Sequence, residues 1–314
     1  MNVLVTGAAG FIGSRLCGRL LSDGARVVGV DSFADFYPRW IKERNLTPFT
    51  GRRGFEFIAG DLNALDLEGL LGRVDVVYHL AAQAGVRSSW GKSFSVYIEN
   101  NIQSTQRLLE AAKGKPLQRL VYASSSSVYG LTPTLPMSET NLLYPLSPYG
   151  VTKLAAEQLC FLYFQNYRVP AVSLRFFTVY GPGQRPDMAF HKFFQAIAAD
   201  HPVTVFGDGE QTRDFTYVDD IVEAALSAGR QGRPGEVYNV GGGHRERLND
   251  LFPVFEEICE KKVEVVNQER QKGDVAHTFA DIRKARLDLG YAPRTALKEG
   301  LREEWEWIRA LYQV

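Results

Sequence analysis

The chain has 314 residues, enough for about two units of ordinary domain size or one large α/β unit with an appendage. Its 36 Lys and Arg balance its 36 Asp and Glu, and a net charge of 0 leaves no electrostatic footprint for nucleic acid or anionic lipid. Hydrophobic residues at 45% and charged residues at 23% are globular values that exclude disorder, collagen and coiled coil.

The first half alternates two patterns. Short runs rich in Val, Ile and Tyr occur at Val3–Val5, Arg26–Val30, Phe55–Ile58, Val74–Tyr78, Leu120–Tyr122 and Ala171–Leu174. Such runs suit strands buried on both faces of a parallel sheet. Between them the spacing predicts helices over Ile12–Leu21, Leu65–Leu71, Ser93–Ala112 and Pro148–Asn166. The fold class is therefore α/β, a Rossmann-like doubly wound parallel sheet with right-handed crossovers. Ser32–Gly54 reads as a long polar connection, either a solvated surface loop or a substrate-contacting one. Beyond about residue 178, Gly and Pro become frequent and strand-like pieces short: Val203–Phe206, Val237–Val240 and Val263–Val266. Helices are expected at Val218–Ser227, Leu248–Cys259, Ile282–Leu289 and Leu297–Leu311. The division is a dinucleotide-binding domain over 1–178, to which some later segments return, and a smaller interleaved α/β substrate lobe mainly over 179–314.

No run of about 18 apolar residues reads as a membrane span, and the chain opens directly on a strand with no secretory signal. Cys17, Cys160 and Cys259, odd in number and far apart, read as reduced buried thiols, so a cytoplasmic location is expected. The five histidines have no metal-ligand spacing, and no metal is expected.

Gly7-Ala8-Ala9-Gly10-Phe11-Ile12-Gly13 follows the first strand and opens the first helix. A pyrophosphate needs a backbone it can approach without a Cβ, and the helix N-terminus offers it N–H groups and positive dipole. Asp31 closes the second strand, where it can accept from both adenosine-ribose hydroxyls and repel a 2′-phosphate; NAD is expected over NADP. Asp61-Leu62 ends the third strand, where the carboxylate could meet the adenine amino group or cap the next helix. Leu80-Ala81-Ala82-Gln83 ends the fourth, with small residues that let backbone pass close to the cofactor.

Tyr149 and Lys153 lie four apart, with Pro148 suited to the first helical turn. Residues at that spacing share a helix face, and a neighbouring cation makes a phenolate base accessible nearer neutrality. Ser124-Ser125-Ser126-Ser127-Val128-Tyr129-Gly130 ends the fifth strand, at the carboxyl edge where ligands bind in such sheets, and offers hydroxyls for a substrate oxygen.

These motifs resemble the extended short-chain dehydrogenase/reductases that act on nucleotide sugars, over essentially the whole chain. Arg213-Asp214-Phe215-Thr216-Tyr217-Val218-Asp219-Asp220, Asn239-Val240-Gly241 and Gly273-Asp274-Val275 match its C-terminal signatures. The resemblance implies that Tyr149 is the base and acid, that Lys153 holds the nicotinamide ribose and lowers the tyrosine pKa, and that Ser125 bonds the sugar hydroxyl. It places Asn100 and Phe177 against the cofactor, Ser126 near the sugar, and Val205, Phe206, Arg213, Gln271 and Asp274 around uridine and its phosphates. Lys272 stands where the common motif has Pro.

Dehydratases of the family carry an Asp-Glu pair after the hydroxyl residue, and decarboxylases a Glu in the same segment. Here those positions are Ser126 and Ser127. With no second acid or base, the 4-keto sugar can only take its hydrogen back, which gives C4 epimerisation. Arg175–Met188 and Ser32–Leu46 are similar to the matching stretches of UDP-glucuronate 4-epimerases, in which the threonine and arginine matching Thr178 and Arg185 face the sugar carboxylate. Gly183-Gln184 stands where that subfamily commonly has Trp-Gly. Arg87 is a second candidate for phosphate or carboxylate, and Arg185 could alternatively pair with Asp187 at the surface. UDP-glucose/UDP-galactose epimerisation and a non-catalytic NAD-binding regulator are the competing readings. The resemblance also implies a homodimer through two helices per subunit, Ser93–Ala112 and Pro148–Asn166, the second apolar on more than one face.

Overall fold

The computed structural model describes residues 1–313. The strands in chain order are β1 Asn2–Thr6, β2 Arg26–Asp31, β3 Phe55–Ala59, β4 Val76–His79, β5 Arg119–Ser125 and β6 Ala171–Phe176. They continue with β7 Thr178–Tyr180, β8 Val203–Phe206, β9 Thr212–Arg213, β10 Phe215–Tyr217, β11 Val237–Val240, β12 Glu246–Arg247 and β13 Val265–Gln268. Seven of these form one parallel sheet in the order β11-β6-β5-β4-β1-β2-β3. The order reverses between β1 and β4, and the carboxyl ends of both strands face the crevice where a doubly wound sheet takes its ligand.

Both faces of the inner strands are buried, which explains why they read as apolar runs, while the edge strand β3 is part-exposed. Val3, Val5, Val76, Tyr78, Val121 and Val172 point into one core; Leu4, Val77, Leu120, Tyr122 and Ala171 point into the other. Alternation along each strand serves two cores rather than core and solvent. Small two-strand pairs, β7 with β10, β9 with β12 and β8 with β13, build the C-terminal part. Among the described residues no helix is long and apolar enough to cross a membrane.

Several elements differ from the sequence reading. Val237–Val240 is a later segment that returns to the main sheet, as its edge strand paired with β6. The expected strand at Val263–Val266 lies two residues further on and is exposed throughout. A helix over Ala189–Ala198 was not anticipated, although Phe190, Phe193, Phe194 and Ile197 have helical spacing and all four are buried. Ser32–Gly54 contains a helix, Arg39–Leu46. The single helix expected over Ser93–Ala112 is three pieces, with a π-turn segment at Ile98–Gln103 between Phe94–Tyr97 and Ser104–Ala111. Such wide turns are frequent at functional sites, and this one carries Asn100.

Candidate active site

A cavity of about 430 Å³ opens along the carboxyl edge of the sheet. Its walls include Gly7, Gly10, Phe11, Ile12, Gly13, Asp31, Asp61, Leu62, Leu80, Ala81, Ala82, Gln83, Asn100 and Phe177. Ser125, Ser126, Tyr149, Lys153, Thr178 and Arg185 line it as well. It thus gathers every residue that the sequence reading gave to the cofactor or the chemistry.

At the β1 end the glycines are dictated by space. Gly7 has φ +71°, and a Cβ there would lie 2.8 Å from the backbone N of Ala81. A Cβ on Gly13 would lie 2.0 Å from the carbonyl oxygen of Gly7. The helix Phe11–Ser22 begins with Gly10 at its cap position and no side chain on its first N–H groups, the arrangement that receives an anion. Asp31 is fixed by N–H donors from Ala9 (3.1 Å) and Phe33 (2.8 Å). Thr6 accepts from the N–H of Ala81 at 3.2 Å and pairs with the imidazole of His79 at 2.7 Å. Those contacts hold the β1 and β4 ends together. Asn101 binds Gln83 in both directions, accepting from its N–H at 2.7 Å and donating to its carbonyl at 3.0 Å. This bare cradle and fixed carboxylate fit a dinucleotide.

The catalytic candidates sit on the helix Pro148–Tyr167, capped by Ser147, whose hydroxyl accepts from the Gly150 N–H at 3.1 Å. Tyr149 lies in its first turn, with the Tyr97 ring edge-on at 6.3 Å between centroids. Desolvation pushes the Tyr149 phenol above its ordinary pKa, and the Arg185 cation and the Ser125 hydroxyl pull it back. Lys153 is buried, its Nζ 4.5 Å from the centroid of the Tyr122 ring, and burial pushes its pKa down to about 7. The Arg185 cation is thus a second positive group acting on the phenol, beside the Lys153 that the spacing places on the same helix. Glu157, one turn past Lys153, accepts from Arg175 Nε (3.0 Å), Arg175 Nη2 (2.6 Å) and Ser124 Oγ (2.6 Å). That buried pair ties the helix to β5 and β6, and so fixes Tyr149 relative to Ser125.

Thr178 opens β7. Arg185 follows on a turn held from behind by Gln184, whose Nε2 donates to the Val179 carbonyl at 3.1 Å. The Gln184 Oε1 accepts from the His191 N–H at 2.9 Å, at the start of the next helix. This gives a structural role to the residue that replaces the expected Trp-Gly. Arg185 does pair with Asp187, yet both line the cavity rather than the surface. Asp187, Phe36, Tyr37 and Lys42 are wall residues that sequence reasoning missed. Lys42 is buried and donates to the Ala34 carbonyl at 2.6 Å. The first half of Ser32–Gly54 is thus a cavity wall, while Arg52 and Arg53 are exposed.

A second cavity, about 330 Å³, is lined by Phe206, Arg213, Arg270, Asp274 and His277 among others. Arg87 donates to Asp274 at 2.7 Å and stacks on Phe206 at 4.2 Å. Its neighbours Gly85 and Val86 line the first cavity, so one short segment borders both. Three assigned residues line neither: Arg87 only touches the lining residues Asp274 and Phe206, Val205 is buried in the core because the alternation of β8 turns it inward beside outward Phe206, and Gln271 donates to the Glu269 carbonyl at 3.3 Å. Arg270, the neighbour of Gln271, is the one that faces the cavity.

Residues 3–241 match the model of the NAD dependent epimerase/dehydratase family. An uncharacterized UDP-glucose epimerase of Bacillus subtilis is 47% identical over 100% of this chain and 99% of its own. A UDP-glucuronate 4-epimerase of Thermodesulfobacterium geofontis is 38% identical over 98% of this chain and 95% of its own. The crystal structure of a UDP-glucuronic acid 4-epimerase from Bacillus cereus, in complex with UDP-glucuronic acid and NAD, superposes with a TM-score of 0.97 at 46% identity, covering 99% of this chain and 100% of that one.

Proposed function

The chain belongs to the NAD dependent epimerase/dehydratase family, and we propose that it interconverts UDP-glucuronate and UDP-galacturonate by inverting C4. The observation that carries this reading is the convergence of Tyr149, Ser125, Thr178 and Arg185 on one cavity wall, with Ser126 and Ser127 where other reactions need carboxylates. Gly7–Gly13, Asp31, Asp61 and Leu62 would hold the adenosine half of NAD, and Leu80–Gln83, Asn100, Lys153 and Phe177 the nicotinamide half. When bound, NAD supplies a reversible two-electron acceptor for the C4 hydrogen.

Tyr149 takes the proton of the C4 hydroxyl as the C4 hydrogen leaves, and Ser125 holds that oxygen in line. Arg185 keeps the phenol ionisable in a desolvating site. The 4-keto ring would then present its other face, C4 would regain its hydrogen with the electron pair on that side, and Tyr149 gives the proton back to the C4 oxygen. The 4-ketone makes the sugar acid a β-keto acid, which loses CO2 when its C–CO2 bond aligns with the carbonyl π system. Arg185 and Thr178 hold the carboxylate out of that alignment through oriented N–H and O–H donors. The uridine and phosphates occupy the second cavity, against Phe206, Arg213, Arg87 and Asp274.

UDP-glucose epimerisation is the second reading. It is favoured by the Arg185–Asp187 pair, which leaves that wall without net charge. Rates with both sugars, in the native chain and in Arg185→Leu, separate them. The proposed reading expects UDP-glucuronate to be preferred and that preference to fall at least about tenfold in the variant. Equal loss with both sugars refutes the carboxylate assignment.

A homodimer and a cytoplasmic setting belong to the same proposal. Val96 and Ile98 on one side-by-side helical run, and Val151, Phe161, Leu162 and Tyr167 on the other, are exposed. A second copy would cover them, and sedimentation equilibrium gives the stoichiometry.

A further inference from the structure

We infer that Asp187 is a positioning residue for the reaction: it fixes which edge of the Arg185 guanidinium meets the sugar and cancels that cation's charge inside the cavity. The inference rests on the reading that Arg185 holds the sugar carboxylate.

The geometry begins with the turn. Arg185 and Asp187 flank Pro186, whose ring fixes one backbone angle. The turn closes through the Gln184 N–H to the Gly181 carbonyl (3.0 Å) and the Met188 N–H to the Arg185 carbonyl (3.1 Å). Gln184 anchors it to β7 and to the next helix. Two side chains leaving so short a support have little freedom. Arg185 Nε donates to Asp187 Oδ1 at 2.9 Å and Nη2 donates to Oδ2 at 3.1 Å. Their side chains are 23% and 32% exposed, and both face the cavity.

Two consequences follow. A guanidinium offers five N–H groups in a rigid fork. Asp187 takes the edge formed by Nε and Nη2, which leaves the Nη1–Nη2 edge for a second carboxylate. Without Asp187 either edge could receive the sugar acid, and the two poses would set the C–CO2 bond differently against the C4 carbonyl. The second consequence concerns charge. A lone guanidinium would hold the substrate carboxylate through net attraction in every state, and binding shared by ground and transition states does not raise kcat. Paired with Asp187, it recognises the carboxylate by donor geometry. The ring can then leave the clamp, turn, and engage it again from its other face.

The same carboxylate acts on the base. Facing Tyr149 are Arg185 and Asp187 from the turn, Ser125 and Tyr122 from β5, Tyr97 from the helix Phe94–Tyr97, and Lys153 one turn further along its own helix. Arg185 draws the phenol down and Asp187 pushes it back. Removing the carboxylate leaves the cation unopposed, so the base ionises at lower pH.

The test compares the full native chain with Asp187→Asn and Asp187→Glu, with UDP-glucuronate as substrate, after the native chain alone has been assayed. Rate constants are taken from pH 5 to 11, products are read by proton NMR, and melting temperature is recorded. For Asp187→Asn we expect kcat to fall about ten- to hundredfold with KM unchanged or lower, from lost orientation of the clamp. The acid limb of the kcat profile moves to lower pH, and a decarboxylated 4-keto pentose product appears. Asp187→Glu keeps the charge and restores the acid limb. The inference is overturned if Asp187→Asn leaves both kcat and the acid limb unchanged, or if its loss lies only in KM. Should Asp187→Asn unfold, an acid limb displaced in Asp187→Glu overturns it equally. A native chain that does not turn over UDP-glucuronate removes the functional reading itself, and the two failures are thereby distinct.

Discussion

The buried pair of Glu157 and Arg175 gives a sharp energetic test. Their side chains are 1% and 4% exposed, and the carboxylate accepts three hydrogen bonds. Glu157→Gln keeps the shape but removes the charge and turns one acceptor into a donor. In either orientation that donor meets an Arg175 N–H that is already donating, and in one of them the Ser124 hydroxyl as well. The guanidinium is then left buried and uncompensated, which costs about 3–5 kcal/mol. At roughly 2–4 °C per kcal/mol for a chain of this size, the melting temperature should fall by roughly 6–20 °C in differential scanning calorimetry. The double variant Glu157→Met with Arg175→Met should recover most of that loss, since replacing both charges with apolar groups of similar volume is often neutral. Tyr129 keeps its own acceptor in the double variant, the Asn239 Oδ1 at 2.6 Å. A single variant that loses less than about 1 kcal/mol, or a double variant that loses the sum of both singles, refutes this reasoning.

Two other outcomes follow from the same structure. Burial pushes His79 down to about 3 and His191 to about 4, so both stay neutral in the folded chain while the unfolded chain takes up protons below about 6.5. Stability should therefore fall as pH drops from about 6.5 towards 4, by about 2 kcal/mol per histidine at pH 5; a melting temperature flat between pH 7 and 5 contradicts this. Asp31→Ser removes the acceptor for the adenosine ribose and the charge that repels a 2′-phosphate. NAD affinity measured by calorimetry should fall about tenfold or more while NADP affinity rises, and an unchanged ratio would locate the ribose elsewhere.

The sheet was legible because its strands are buried on both faces and its helices long enough to show a period. The glycine turn and Asp31 were legible because a pyrophosphate and a ribose make local demands on consecutive residues. The C-terminal pieces were less so: β9 and β12 have two residues each, and their partners lie far away in sequence. Lys42, Tyr37 and Asp187 escaped because polar residues in a connection read as solvated, whereas here the connection folds over the cavity. Tyr149 and Lys153 lie on one helix and line the same cavity. A second cation that draws the Tyr149 phenol down, Arg185, comes from a turn 36 residues further along the chain, which helix spacing could not show. Residue 205 and residue 206 show the limit of transferring a stretch whole, since strand alternation gives one to the core and the other to the cavity.

The central claim is that the C4 hydrogen leaves and returns to the same carbon on the opposite face, inside a closed site. It is tested by incubating the purified chain with UDP-glucuronate carrying deuterium at C4, in ordinary water, and following the sugar by NMR and mass spectrometry. The account predicts UDP-galacturonate that retains deuterium at C4 and reaches a constant ratio with the starting sugar. Product with the label washed out into solvent, or no UDP-galacturonate with NAD supplied, would contradict it.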